Sequence, residues 1–377
     1  MSYKFADLFC GCGGMSLGLI DAGFVDTIAA DFWDVAMKNY LSYHKLSKTN
    51  FHQTNMFNED ERLDLIEAIK AAGIDLLAGG PPCQGFSTLG KREEKDTRNT
   101  LVEAYLQVAL AIKPKMLIME NVPAIQSMKH SSGKRYPEYA KQLLQENGYY
   151  ADTVFVTGDQ VGLAQTRKRL FLIALNKDYL SEIADFSKEL ASTLKQLQPA
   201  SGCTTLRSVI GDLPSLQSGE GSDEMTVSGK TIYNHYVFEY EKNTLKRIQA
   251  VPEKGGLQDI PDELLSNHLK KMKSGGYGSG GFVKNLYGRL DWDAPSGTIV
   301  AGIKKITCGR FFHPVDHRLL TVREAARLQS FPDDYKFLGG LIDQYTVVGN
   351  AVPPKFSEYI GKVLIDIFER YRKDCRI

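Results

Sequence analysis

Phe5-Ala6-Asp7-Leu8-Phe9-Cys10-Gly11-Cys12-Gly13-Gly14 is the stretch on which the reading of the fold turns. Phe5–Phe9 reads as a strand, a glycine turn follows, and a helix starts near Met15. Glycines at such a turn let backbone approach a ligand closely at the carboxyl edge of a sheet. A tight structural turn is the plain alternative. Further on, Thr27–Asp31 is a short apolar run that closes on an acid, with a helix after it. Asp31 stands where a carboxylate can accept hydrogen bonds from ribose hydroxyls, and Phe32 can lie against an adenine ring. By itself the loop fits NAD, a flavin or S-adenosylmethionine. Its Gly-x-Gly-Gly form lacks the third spaced glycine of the dinucleotide fingerprint. A cofactor without a pyrophosphate needs that glycine less, which favours S-adenosylmethionine.

Working outward, strand-like and helix-like segments alternate. Glu61–Ala72 has helical spacing through Leu63, Ile66 and Ile69, and Ile74–Ala78 reads as a buried strand. Leu101–Ile112 is helical, and Met116–Met119, Val154–Val156 and Leu170–Leu175 read as strands. This order predicts an α/β fold with a doubly wound, mostly parallel, Rossmann-like sheet. The pattern breaks over roughly 176–317, which is loop-rich with scattered short strands and reads as a second, smaller, mainly β and loop domain. Leu320–Ser330 then resumes helical character, with Thr321 as N-cap and Glu324 three residues on in a capping box. From Pro353-Pro354 a last helix places Phe356, Ile360, Val363, Leu364, Ile367 and Phe368 on one face. The expected division is therefore 1–175 plus 318–377 as one domain and 176–317 as the other.

Bulk composition excludes little. The chain has 377 residues, 43% of them hydrophobic, and 46 Lys plus Arg against 45 Asp plus Glu. Local charge is more informative. Residues 268–330 carry eleven basic against four acidic side chains, whereas 176–267 carry nine against fourteen. Such segregation permits a basic face on a near-neutral protein, although a solvated charged surface is the simpler reading. The six cysteines show no disulfide framework and no paired Cys-x-x-Cys spacing, so Cys10 and Cys12 read as core rather than as metal ligands, and no metal is expected. Neither a signal peptide nor an apolar stretch long enough for a membrane is visible, which predicts a soluble cytoplasmic protein with no membrane contact.

Three further motifs carry chemistry. Gly79-Gly80-Pro81-Pro82-Cys83-Gln84 follows a buried strand. Cys83 thus sits at a strand's carboxyl end, after two stiffening prolines, where an α/β sheet puts its active site and where a thiolate is a ready nucleophile. Glu120-Asn121-Val122 ends the Met116 strand. If the strands before Cys83 and Glu120 are neighbours, the two residues emerge at one edge, about 5 Å apart at the backbone. An acid ending an apolar strand is costly to bury without a partner, with a helix N-cap as the plain alternative. In Gln165-Thr166-Arg167-Lys168-Arg169, extended alternation points Gln165, Arg167 and Arg169 to one side.

In this order, these blocks resemble the DNA cytosine-5 methyltransferases, especially the bacterial single-chain enzymes. The likeness continues through Arg318-Leu319-Leu320-Thr321-x-Arg323-Glu324 and Gly349-Asn350-Ala351-Val352-Pro353-Pro354, and covers both flanks of the chain. It implies S-adenosylmethionine as cofactor and double-stranded DNA as partner. It implies attack of Cys83 on carbon 6 of a flipped-out cytosine, Glu120 on N3 and the exocyclic amine, and Arg169 on O2. Arg167 would help to fix Glu120 and the backbone. Cofactor contacts carry over to Phe9, Gly11, Gly13, Gly14, Asp31, Phe32, Asn55, Met56, Pro81, Asn350 and Ala351. At Asn55 the family commonly has an aspartate, which an asparagine can replace as an acceptor.

Residues 87–100, with Lys91, Arg92, Lys95 and Arg98, resemble the family's mobile loop that closes over DNA. The middle segment corresponds to a target-recognition domain, in which the glycine-rich run around Tyr277 and the Ser296–Val300 segment would approach the duplex. DNA contacts are accordingly expected at Ser87, Lys91, Arg98, Gln165, Tyr277 and Thr298. The resemblance implies a monomeric enzyme, within a restriction system or as an orphan methylase. An RNA methyltransferase on the same fold, a catalytically dead relative and a nicotinamide oxidoreductase are the rival readings. The long middle segment argues against the first, and intact Cys83, Glu120, Arg167 and Arg169 against the second. The third gives no reason for Cys83 and Glu120 together.

Overall fold

The computed structural model describes residues 2–82, 100–199, 204–275 and 285–373. By contact density the chain divides into two compact units. The first comprises residues 1–161, 168–200 and 352–377, the second residues 162–167 and 201–351.

In the first unit the strands are β1 (Tyr3–Leu8), β2 (Phe24–Asp31), β3 (Phe51–Gln53), β4 (Leu76–Gly79), β5 (Met116–Asn121), β6 (Tyr149–Thr157) and β7 (Lys168–Asn176). They form one sheet in the order β3-β2-β1-β4-β5-β7-β6. The first five are parallel, while β7 runs antiparallel to both β5 and β6. The expected doubly wound α/β sheet is therefore present. Each expected strand lies within or overlaps an observed one, and β3, three residues long, is additional. Every residue of β4 and β5 is buried, as strands covered on both faces must be.

Period-two alternation assigns the two faces. Leu8, Ala30, Leu77, Leu117 and Leu172 join one core with Leu65 and Ile69 of α3 (Glu59–Ala72), Tyr105 of α4 (Thr100–Ile112) and Leu144 of α5 (Tyr136–Glu146). The opposite face belongs to α1 (Gly14–Asp21) and the C-terminal helix, Pro354–Tyr371. There Phe171 meets Phe356 with ring centroids 6.1 Å apart, and Tyr3 meets Phe368 edge-on at 5.5 Å. Close approach of those two helices requires Gly18, where a Cβ would fall 2.0 Å from the Pro354 carbonyl oxygen. Also in this unit are α2 (Asp34–Tyr43) and α6 (Phe186–Leu197).

The second unit contains the hairpin β8 (Gly221–Val227) and β9 (Lys230–Tyr236), and the short parallel pair β10 (Gly288–Arg289) and β11 (Arg310–Phe312). Loops and short helices join them: α7 (Leu206–Ile210), α8 (Lys242–Gln249), α9 (Asn267–Lys273), α10 (Val322–Leu328) and α11 (Leu341–Asn350). The C-terminal helix is then α12. The compact units do not follow the expected limits: 176–200 fall in the first unit and 318–351 in the second. The reason is local. Tyr359 donates to the carbonyl of Leu194, tying α6 to α12, whereas Arg323 donates to the carbonyl of Tyr233, tying α10 to β9.

The Thr321 capping box is present, with Glu324 N–H on Thr321 Oγ1 at 3.1 Å and Thr321 N–H on Glu324 Oε2 at 2.7 Å. Much of the basic charge counted over 268–330 is internal. Arg289, Arg318 and Arg323 are buried, Arg318 pairs with Asp316 and Glu324 at 2.8 Å each, and Arg327 pairs with Asp333 at 2.7 Å and with Asp212.

Candidate active site

Strand order reverses between β1 and β4, and loops at the carboxyl ends of those strands open the crevice where doubly wound sheets bind ligands. After β1, Phe9, Gly11 and Gly13 all have positive φ, 59°, 56° and 82°. Nothing lies within 4 Å of a Cβ built on Gly11, whereas one on Gly13 would fall 2.2 Å from His44 Nε2. Gly11 thus faces open space with its backbone, and Gly13 seals the loop onto α2. The Gly11 N–H donates to Asp31 Oδ2 and the Trp33 N–H to Asp31 Oδ1, both at 2.9 Å. Burial pushes the Asp31 carboxyl up, and these two N–H groups oppose that shift. Each oxygen still has a lone pair for a further donor.

Phe32 beside it is 68% exposed, a large apolar side chain facing solvent. On the neighbouring strand's end, Asn55 Oδ1 accepts from Phe57 N–H at 3.1 Å, and Asn55 N–H donates to Glu61 Oε2 at 2.6 Å. The Met56 side chain lies in the core, so any cofactor contact there is restricted to backbone. Sequence reading passed over Phe57, 50% exposed, and Glu61, which holds the Asn55 turn. An aromatic just before the helix N-cap Asn58 was the available signal.

Below the glycine loop lies a buried chain of four side chains. Asp7 Oδ2 and Ser16 Oγ are 2.6 Å apart, Ser16 Oγ and Tyr40 OH 2.8 Å, and Tyr40 OH and Asp26 Oδ2 2.9 Å. These three contacts need three protons, and the two hydroxyls supply two. One carboxyl proton completes the chain, held by Asp7 or Asp26. Burial accordingly pushes Asp7 up to about 7 and Asp26 to about 6, while it holds His44, stacked on Tyr40, down to about 4. Cys10 and Cys12 are buried beside this loop, and burial pushes both thiols up.

At the second edge position β4 and β5 are parallel neighbours, with Gly79 paired to Met119. Glu120 is 8% exposed, and its Oε1 lies 2.7 Å from Arg169 Nε. A Cβ on Gly80 would come within 3.4 Å of Glu120 Oε2, so the β4 loop lies against the carboxylate. Asn121 Nδ2 donates to the Pro81 carbonyl at 3.1 Å, pinning the backbone that leads towards Cys83. Cys83, Ser87, Lys91, Arg98 and Tyr277 lie outside the described residues.

Gln165, Arg167 and Arg169 are buried and Thr166 and Lys168 exposed, as alternation predicts. Arg167 fixes backbone, as expected of it, whereas Gln165 does not stand where it was expected. The ion pair with Glu120 is made by Arg169. Arg167 donates to the carbonyls of Ile299 at 2.9 Å and Ala351 at 3.0 Å, so it braces backbone within the second unit. Gln165, expected on DNA, is 1% exposed. It donates to Leu328 O and Gln329 Oε1, both at 3.0 Å, and accepts from Ile299 N–H at 2.9 Å, which leaves it no reach to a duplex. Thr298 is half-buried and Asn350 exposed. Ala351 is buried, with its N–H on the Val347 carbonyl and its own carbonyl on Arg167.

This fold and edge chemistry coincide with the comparisons to known proteins. The family model of C-5 cytosine-specific DNA methylase matches residues 3–366, and the chain belongs to that family. It is 30% identical over 375 residues to the Type II methyltransferase M1.HphI of Haemophilus parahaemolyticus, spanning 97% of this chain and 87% of that one. To the Type II methyltransferase M1.BsuMI of Bacillus subtilis it is 31% identical over 375 residues, spanning 94% and 79%. Among solved structures, a prophage-encoded E. coli chain described as a putative DNA modification methyltransferase matches with TM-score 0.71 and 21% identity, over 97% of this chain and 99% of that one; this likeness bears on the fold. The protein is a DNA cytosine-5 methyltransferase, and its family implies S-adenosylmethionine as methyl donor. Among the described residues no helix is long and apolar enough to cross a membrane.

Proposed function

We propose that the chain methylates carbon 5 of a cytosine flipped out of a specific double-stranded DNA sequence, through a transient Cys83–C6 bond, as the modification arm of a restriction system or as an orphan methylase. The observation that carries this reading is the buried Glu120–Arg169 ion pair beside the Gly80-Pro81 backbone that leads into Cys83. An aromatic carbon becomes a nucleophile only once addition has broken the ring's conjugation. The Cys83 thiolate adds to C6, and the electron pair moves towards C5 and N3. Glu120, held in place by Arg169, hydrogen-bonds N3 and the exocyclic amine and favours that charge shift. Arg169 also has donors left for the base's O2. After methylation C5 gives its proton to a base, water in this reading, and the C6–S bond breaks to release Cys83. Flipping costs a few kcal/mol of unstacking.

For the cofactor, open space above Gly11, the Asp31 carboxylate and the exposed Phe32 ring fit a nucleoside, with Phe9, Gly13, Gly14, Asn55, Pro81 and Asn350 as further proposed contacts. Bound there, S-adenosylmethionine supplies an electrophilic methyl group. The middle segment, with Thr298, is assigned to sequence recognition, and the enzyme to monomeric action in the cytoplasm. Bisulfite sequencing of plasmid DNA from cells expressing the wild-type chain or Cys83→Ala tests the reading. Site-specific protection by the wild type alone is expected. Equal protection by both chains would remove Cys83 from the mechanism, and none in either would point to an RNA substrate or a silent relative.

A further inference from the structure

Eight residues after Asn121 the chain makes a small exposed hairpin, Lys129-His130-Ser131-Ser132-Gly133-Lys134-Arg135, that no part of the mechanism uses. It is well fixed. Lys129 and Arg135 are bridge partners, His130 N–H donates to the Lys134 carbonyl at 2.9 Å, and Tyr136 N–H to the Met128 carbonyl at 3.0 Å. His130 stacks on Tyr139 with ring centroids 3.6 Å apart and planes 12° from parallel, and it shares a hydrogen bond with Ser132 Oγ at 2.9 Å.

Its position follows from topology. A helix that follows a parallel strand begins at that strand's carboxyl edge, so Glu103, in the first turn of α4, sits at the edge that carries Glu120. Glu103 accepts from Tyr136 OH at 3.1 Å and lies 3.5 Å from His130 Nε2, which places the hairpin's base at that same edge.

Charge gives the hairpin its interest. Some cations of this unit are paired, Lys115 with Asp75 and Lys141 with Asp152, both at 2.7 Å, and Arg169 with Glu120. Lys129, Lys134 and Arg135 are exposed and form no ion pair among the described residues; Lys134 meets only the neutral Gln142. Like charges directly opposite across a ladder are destabilising. A fixed hairpin that sets Lys129 against Arg135, with Lys134 adjacent, therefore carries a repulsion that a polyanion would relieve.

We infer that this hairpin is a phosphate-binding clamp that holds the backbone of the duplex beside the catalytic edge, through Lys129, Lys134 and Arg135. The inference rests on the proposed action on DNA and adds a contact that the catalytic and cofactor residues do not provide. Duplex DNA presents one charge per about 3.4 Å along each strand, so three cations on one short hairpin can meet two or three successive phosphates. Contacts of this kind set affinity and orientation without reading sequence.

The test is duplex binding by the full chain as a function of salt, using a fluorescent duplex of about 30 base pairs. Each phosphate neutralised contributes about 0.9 to the slope of log K against log salt. In the Lys129→Ala/Lys134→Ala/Arg135→Ala variant the slope should fall by about two to three, with at least a tenfold loss of affinity near 0.1 M salt. A charge-preserving variant, Lys129→Arg/Lys134→Arg/Arg135→Lys, should keep the wild-type slope, and neither variant should melt below the wild type, because all three side chains are exposed and the alanine variant only removes like-charge repulsion. An unchanged slope in the alanine variant overturns the clamp. Failure of the wild-type chain to bind any duplex would overturn the DNA reading itself, and the clamp with it.

Discussion

At the scale of single residues, two buried charge arrangements make opposite demands. Glu120 and Arg169 form a buried ion pair, 2.7 Å apart, at the carboxyl edge of the sheet. Glu120→Gln keeps the shape and removes the charge, so methyl incorporation should fall by about 10²–10⁴-fold, the range of lost acid–base assistance. Arg169→Ala instead strands a carboxylate, and the melting curve should show a loss of about 3 kcal/mol as well. Wild-type turnover in the first variant would remove Glu120 from the chemistry. The Asp7–Ser16–Tyr40–Asp26 chain needs one carboxyl proton. With Asp7 near 7 and Asp26 near 6, against an ordinary value of 3.8, the folded protein keeps protons that the unfolded chain has released. Their contribution to stability is full below about pH 4 and is lost as pH rises through about 7. His44 and His313, held near 4 by burial, act in the other direction between pH 4 and 6.5. The net curve therefore hides the effect, and a variant isolates it. In Asp7→Asn the new amide donates a hydrogen bond as the protonated acid does, at every pH. The stability of this variant relative to wild type should rise from about pH 5 to pH 8 by about 2–4 kcal/mol, at about 1.36 kcal/mol for each tenfold change in proton affinity. A difference flat in pH would sink the shared-proton reading.

Elements were legible in proportion to how local their causes are. Thr321 and Glu324 announced α10 because a capping box is written within four residues, and the apolar stripe of α12 repeats over its own length. The antiparallel insertion of β7 between β5 and β6 has no local cause, since register between strands far apart in the chain is settled only by packing. Likewise, the roles of Arg167 and Arg169 could not be divided by alternation, which gives both the same side. Gln165 resembled a surface residue in sequence because its partners, Ile299, Leu328 and Gln329, lie more than a hundred residues away. The α1–α12 contact is a further case that sequence could not show. Gly18 reads as an ordinary helix residue, yet a methyl group there meets Pro354 oxygen and Ser357 Oγ. Gly18→Ala, which would help an isolated helix by about 1 kcal/mol, should here lower stability by about 1–3 kcal/mol through overpacking. Thermal melting of the single variant decides between the two signs.

For the molecule as a whole, charge counted along the sequence does not say which side chains face solvent. The basic excess over 268–330 permitted a basic face, with a solvated charged surface as the simpler reading, yet Arg318 within it lies fully buried between Asp316 and Glu324. Glu324 is consequently held down to about 2, the Arg318 guanidinium overcoming the effect of its burial. That triad belongs wholly to the second compact unit, whereas the glycine loop, Asp31 and Phe32 belong wholly to the first. Each unit encloses its own buried side chains, so unfolding need not be a single step. Two perturbations separate the cases. Arg318→Ala leaves two buried carboxylates without their cation and should cost the second unit about 3–5 kcal/mol. S-adenosylmethionine at about a hundred times its Kd should add about 2.7 kcal/mol to the unit that binds it. In calorimetry of the full chain, the variant should lower one transition and the cofactor raise the other. A single transition moved together by both perturbations would show that the two units unfold as one.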